Sequence, residues 1–163
     1  MFRVFWLSNT LQVALAFWLV TEFGATGPTF RLLFGNANER PQALPLVASD
    51  LIGWAWLYAL HVRSSLARGR VWQAEFMLSG MRDQVLALAC LRRGLPAHEG
   101  RGTDDLPSEI TMPLSETLVR SLDIPELKRA FATTTHSLLL EIEKEDTALA
   151  KRLKPLLKAL ETF

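Results

Sequence analysis

The spacing of apolar residues changes along the chain, and from about residue 48 onward it follows the period of an α-helix. This pattern predicts five helices whose ends are marked by cap residues, glycines and prolines. They cover residues 49–68, 70–93, 108–122 (bent at Pro113), 123–145, and 146 onward (kinked at Pro155). We expect Ser49 and Asp146 to cap the first and last helices, and Asp123 to form a capping box with Glu126.

The first two helices differ in how their apolar residues are distributed. The first is apolar nearly all round and carries Trp54, Trp56 and Tyr58, a pattern typical of a helix buried on every side. We therefore expect these aromatic residues to lie in a core or an interface. On the second helix the apolar residues share one face: Val71, Ala74, Leu78, Met81, Val85 and Leu88.

The N-terminal residues alternate differently and favour strands. Residues 2–7 and 10–18 are rich in β-branched and aromatic types and predict a hairpin that turns at Ser8-Asn9, while residues 29–34 predict a third strand. The predicted fold class is therefore mainly α, a bundle of about five helices with a small N-terminal antiparallel β unit. The predicted domains are residues 1–35, a linker over 36–47 that contains Pro41 and Pro45, and a helical domain over 48–163.

Composition excludes some classes of protein and partner. The chain is 49% hydrophobic with a net charge of +1, so neither disorder nor an electrostatic affinity for nucleic acid is expected. The apolar runs at 13–20 and 51–60 are shorter than the roughly 20 residues of a membrane-spanning helix, so no membrane association is expected. Cys90 is the single cysteine and is expected to be buried, which fits a reducing, cytoplasmic setting.

Polar residues form one line along the second predicted helix. Glu75, Ser79 and Arg82 follow at i, i+4 and i+7, with Trp72 and Asp83 beside them. A carboxylate, a hydroxyl and a guanidinium next to an indole suit a polyhydroxylated or amine-bearing small molecule. The alternative is an ion-pair contact between helices, with one of the neighbouring arginines as partner: Arg63, Arg68 or Arg70.

Residues 63–94, with this polar line, resemble the C-terminal helical domain of aminoglycoside- and lincosamide-type nucleotidyltransferases. The resemblance covers about residues 47–160 and implies that residues 1–35 are the last strands of the catalytic core. It also implies a small-molecule acceptor site formed by Trp72, Glu75, Ser79, Arg82 and Asp83.

The catalytic motifs of that family are missing from these 163 residues. Members hold ATP or another nucleoside triphosphate with Mg²⁺ through a Gly-Ser turn, an Asp-x-Asp pair and a third acid. Neither motif is present, and Ala14 stands where the resemblance places the third acid. We therefore expect a truncated or degenerate member that binds no cofactor by itself and does not transfer nucleotides alone.

Two alternatives come from other functional classes. The first is a stand-alone helical interaction module, similar to HEPN domains, that acts with a nucleotidyltransferase catalytic partner. The second is a metal-independent ribonuclease, for which Arg129 and His136 are the better placed Arg–His pair and Arg93 and His98 the poorer one. A second copy of the chain is also an expected partner, through residues 2–18 and the surface of the first helix.

Overall fold

A computed structural model describes residues 2–7, 12–17, 22–24, 36–38 and 45–162. The chain divides into two units, Met1–Leu44 and Pro45–Phe163. The regular structure of the second unit consists of helices, so the prediction of a mainly α protein is confirmed. Its five described α-helices are α1 (Ala48–Ala67), α2 (Val71–Arg92), α3 (Ser108–Ser115), α4 (Ile124–Glu145) and α5 (Thr147–Leu160).

The first unit contains short strands. Strand β1 (Phe2–Leu7) pairs antiparallel with β2 (Gln12–Phe17), with Phe2 opposite Phe17 and Leu7 opposite Gln12. Strands β3 (Glu22–Gly24) and β4 (Asn36–Asn38) form a separate parallel pair that the sequence pattern does not predict. The predicted turn at Ser8-Asn9 and the predicted strand over 29–34 lie outside the described residues.

The ends of α1 and α2 follow from backbone geometry. Helix α1 begins at Ala48 with Val47 as its N-cap residue, two residues before the expected cap, because the N–H groups of Asp50 and Leu51 already donate to the carbonyl oxygen of Val47. Ser49 is therefore inside the first turn, and its prediction as the cap is wrong. Gly69 and Gly94 follow the two helices at φ +66° and +69°, a conformation that favours glycine and stops each helix as predicted.

The later helix ends depart from prediction where the chain between α3 and α4 folds back. Helix α3 ends at Ser115 instead of continuing to residue 122. Asp123 is the N-cap residue of α4 but makes no side-chain cap bond, and Glu126 accepts a hydrogen bond from the Arg120 backbone N–H at 3.0 Å. The predicted capping box is therefore wrong. Asp146 does cap α5, accepting from the Leu149 N–H at 2.9 Å.

The core of the helical unit lies between α1, α2 and α4. Five of the six predicted apolar residues of α2 are fully buried, and Val71 packs partly buried against them. They meet the largest buried side chains of α4, Leu127, Phe131, Leu138 and Ile142. Helix α1 buries only one side, since Trp54 is 54% exposed and Leu57 and Leu60 are each 40% exposed. The prediction that α1 is buried all round is wrong.

Candidate functional site

The predicted polar line on α2 forms a chain of hydrogen bonds. The Ser79 hydroxyl donates to Glu75 Oε1 at 2.7 Å, and Arg82 Nη2 donates to Ser79 Oγ at 2.8 Å. All three side chains are partly buried. Their polar groups therefore satisfy one another within a single helix, as the i, i+3 and i+4 spacings allow. The alternative was an ion pair with Arg63, Arg68 or Arg70. The guanidinium in this chain of bonds is instead that of Arg82, on α2 itself.

The other two predicted residues lie apart from this chain of bonds. Trp72 is 75% exposed near the start of α2. Asp83 remains accessible to solvent and lines a cavity that includes none of the other four predicted residues. The structure thus separates the predicted site into a bonded trio, an exposed indole and a carboxylate in a cavity.

The cavity occupies about 710 Å³ between α1, α2 and the segment after α2. Its volume is in the range of sites that hold small molecules. Three carboxyl groups and two aromatic rings give it its chemical character: Asp50, Asp83, Glu99, Trp54 and Tyr58. Among the described residues that line it there is no lysine or arginine. The arrangement suits a molecule with amine groups, whose charges the acids can pair and whose cationic face the rings can contact.

The three carboxyl groups stand in different electrostatic surroundings. Burial raises the pKa of the Asp83 carboxyl above its ordinary value, and the charge of Arg82 opposes part of that rise. Glu99 forms an ion pair with Arg101 at 2.6 Å, in which both side chains are largely exposed. Asp50 lies in the exposed first turn of α1. A cationic ligand would stabilise the charged form of Asp83 that burial disfavours.

Close packing between α1 and α2 fixes the aromatic wall. A Cβ atom built on Gly80 would lie 2.7 Å from Tyr58 Cε1, so the tyrosine ring rests against the glycine backbone. The Trp54 and Tyr58 rings are tilted by 38° with centroids 6.4 Å apart, within the range of favourable aromatic pairs. The absence of a side chain at Gly80 therefore positions Tyr58 at the cavity.

The segment after α2 adds a strained residue to the cavity wall. Glu99 has φ +56°, the left-handed region that a non-glycine residue seldom adopts, and Gly100 follows at +72°. Such a conformation costs about 1–2 kcal/mol, and residues of this kind cluster at functional sites. Cys90, fully buried as predicted, also lines the cavity, and burial raises the pKa of its thiol against a hydrogen bond with Thr103.

Most of the cavity residues were not predicted from the sequence. Asp50, Trp54 and Tyr58 follow one another at four-residue spacing on α1, which places them along one side of the helix. That spacing is a usable signal, but the strong apolar character of α1 favours an interpretation as core. Glu99 carries no such signal, because its place depends on how the segment after α2 folds back.

The arginine of the ribonuclease alternative is engaged in hydrogen bonds near the start of α4. The Arg129 guanidinium donates to both Glu126 oxygens at 2.7 Å and to the backbone carbonyls of Glu116 and Leu118. These hydrogen bonds link α4 to the segment that connects it with α3 and so stabilise that segment. His136 is exposed two turns further along α4. The geometry gives Arg129 a structural role.

The described residues also bear on metals and membranes. Within residues 2–7, 12–17, 22–24, 36–38 and 45–162, no three acids, histidines or cysteines are grouped so that they could hold a metal ion. Ala14 lies in β2 opposite Phe5, and a methyl group cannot ligate Mg²⁺. The residue at this position therefore offers no ligand for the Mg²⁺ that the resemblance implies. No described helix has the length and apolar character needed to cross a bilayer.

The resemblance to nucleotidyltransferases is supported by the sequence pattern alone. The cavity is a property of this structure and stands without it. No family model, no curated protein and no solved structure matches the chain.

Proposed function

We propose that the helical unit is a binding domain for a small amine-bearing molecule, equivalent to the acceptor domain of a nucleotidyltransferase, and that it does not transfer nucleotides by itself. The cavity lined by Asp50, Asp83 and Glu99 beside Trp54 and Tyr58 is the observation that carries this proposal. The left-handed backbone at Glu99 supports it, because such conformations cluster at functional sites and this one belongs to an acid of the cavity wall.

The bonded trio has a supporting role in this proposal. Glu75 and Ser79 satisfy each other, so neither presents an unpaired group to a ligand through the bonds that the structure shows. Arg82 is held by Ser79 and lowers the pKa of Asp83 partway back toward its ordinary value. We infer that the acceptor contacts Asp83 and the cavity, and that the trio orients Arg82.

Any nucleotide transfer would need metal-binding acids that these 163 residues do not contain. The chain has neither a Gly-Ser nor an Asp-x-Asp motif of the expected kind, and position 14 is alanine. We propose that a nucleotidyltransferase catalytic partner would supply the nucleoside triphosphate and Mg²⁺ site, while this chain would present the acceptor. The ribonuclease alternative has no observation in its favour, given the bonds of Arg129.

The proposal is tested by calorimetric titration of the full chain with kanamycin, an amine-bearing probe, and maltotriose, a neutral sugar of similar size. We expect kanamycin alone to bind. Asp83→Asn should weaken its binding about 10- to 100-fold, the effect of losing a hydrogen bond to a charged group. Glu109→Gln is the matched control, since it removes one negative charge from α3 outside the cavity.

Two further readouts separate the cavity from the predicted line. Binding should strengthen as pH rises through the raised pKa of Asp83, because only the ionised carboxylate pairs with an ammonium, and Asp83→Asn should reduce that pH dependence. Glu75→Gln keeps an oxygen that can accept the Ser79 hydrogen bond, so the trio should persist and kanamycin binding should be unchanged. Equal affinity for the two probes, or a loss on Glu75→Gln with none on Asp83→Asn, would refute the proposal.

A further inference from the structure

Helix α1 exposes a continuous, mainly apolar face on the side away from the core. This face consists of Gly53, Trp54, Leu57, Leu60, His61 and Ser64, all of which are exposed. A Cβ atom added at Gly53 would meet no atom within 4 Å, so the surface there is open. Exposed apolar side chains grouped on one helix face are characteristic of an interaction surface.

A charged residue stands at each end of the face. Asp50 lies in the first turn of α1 and Arg68 is its C-cap residue, and both are exposed. They are about five helical turns apart, so at 3.6 residues per turn they lie on the same side of the helix. The helix therefore carries an acid, an apolar centre and a base in sequence along one face.

We propose that this face binds the same face of a second copy, with the two α1 helices antiparallel about a twofold axis near Ala59. Asp50 and Arg68 are equally far along the chain from Ala59. The axis therefore sets Asp50 of each chain against Arg68 of the other, and it brings Leu57 and Leu60 to the centre. In such an isologous contact every pair occurs twice, so one charge complementarity acts at both ends.

Because the face has an acid at one end and a base at the other, it is complementary to the same face of a second copy when the two helices are antiparallel. A parallel pair would set Asp50 against Asp50 and Arg68 against Arg68, and both contacts would be repulsive. A single helix of 20 residues is about 30 Å long, so the contact is smaller than a standard protein interface. We therefore expect a dissociation constant in the micromolar range that increases with salt concentration.

Sedimentation equilibrium of the full chain without added ligand tests this arrangement. Asp50→Arg and Arg68→Asp each replace two attractive pairs by two repulsive ones, and each should raise the dissociation constant about tenfold. The double variant reverses both charges and restores opposite signs, so its dissociation constant should return to within about threefold of the wild-type value. Arg63→Asp is the matched control, since Arg63 is exposed on α1 but lies about 140° around the helix from Arg68.

The double variant gives the decisive result, because recovery requires the two residues to face each other. All three substituted positions are exposed, and circular dichroism of each variant verifies its helical content. If the wild-type chain stays monomeric up to millimolar concentration, the proposal is overturned. The face would then bind a different protein or another part of this chain. The proposal is also overturned if the single substitutions leave the dissociation constant unchanged, or if the double variant dissociates as readily as either single variant.

Discussion

Replacing Gly80 by alanine tests the packing that shapes the cavity. Alanine is favoured over glycine in a helix interior by about 1 kcal/mol, so on helix propensity alone Gly80→Ala should stabilise the protein. The added Cβ would, however, lie 2.7 Å from Tyr58 Cε1 and 2.8 Å from Cζ. Carbon atoms in contact prefer a separation of about 3.5–4.0 Å, so the ring has to move by about 1 Å.

The magnitude follows from the balance of these two effects. Overpacking of this kind costs about 1–3 kcal/mol, which offsets or exceeds the gain in helix propensity. Gly80→Ala should therefore change the free energy of unfolding by between about zero and 2 kcal/mol in the destabilising direction. Gly53→Ala is the matched control on α1, because open space surrounds that position. It should stabilise the protein by up to about 1 kcal/mol.

Urea unfolding followed by circular dichroism measures both variants, and a double-mutant cycle isolates the contact. In a Tyr58→Ala background the ring is gone, so Gly80→Ala should become stabilising by about 1 kcal/mol. A displaced Tyr58 should also weaken kanamycin binding, whereas Gly53→Ala should not. If Gly80→Ala stabilised the otherwise unchanged protein as much as Gly53→Ala does, the close contact with Tyr58 would be refuted.

Two further predictions concern α4 and α5. Asp146→Ala should lower the free energy of unfolding by about 1 kcal/mol in urea titration, because the Leu149 N–H loses its cap, and an unchanged midpoint would contradict the cap. The hydrogen bonds from Arg129, and then from the Arg120 N–H, lower the pKa of Glu126 to about 2, below its ordinary 4.5. The unfolded chain binds more protons between these values, so the contribution of Glu126 to stability is present above pH 4.5 and lost as pH falls toward 2. In urea titrations across that range, the free energy of unfolding should fall less steeply with decreasing pH for Glu126→Gln than for the wild type. The same pH dependence in both proteins would argue against the ion pair.

Local rules predicted the helices wherever one element alone decides the outcome. The apolar face of α2 follows from its helical spacing, and the core covers Leu78, Met81 and Val85 as that spacing predicts. Asp146 caps α5 because its partner, the Leu149 N–H, is three residues away on the same helix. These features need no knowledge of the rest of the fold.

The same rules failed where a distant group competes. Glu126 was expected to bind the N–H of Asp123, but the folded connection between α3 and α4 brings the Arg120 N–H to it instead. Arg129 fastens that connection through carbonyls 11 and 13 residues away. Neither contact leaves a periodic trace in the sequence, so neither could be predicted from spacing.

The candidate site shows the same limit. The five predicted site residues all belong to α2, whereas the residues that line the cavity come from α1, α2 and the segment after α2. Only Asp83 belongs to both sets. Glu75, Ser79 and Arg82 hydrogen-bond to one another within the helix. Their spacing permits this as readily as it permits ligand binding.

The two proposals share one end of α1 and can still be tested apart. Asp50 and Trp54 belong both to the cavity and to the exposed face. Asp50 can pair with a ligand ammonium or with Arg68 of a second copy, so its substitution affects both equilibria. Arg68 does not line the cavity, and Asp83 lies on α2, outside the α1 face. Arg68→Asp therefore reports on association alone and Asp83→Asn on ligand binding alone, so a change in one equilibrium without the other identifies which proposal holds.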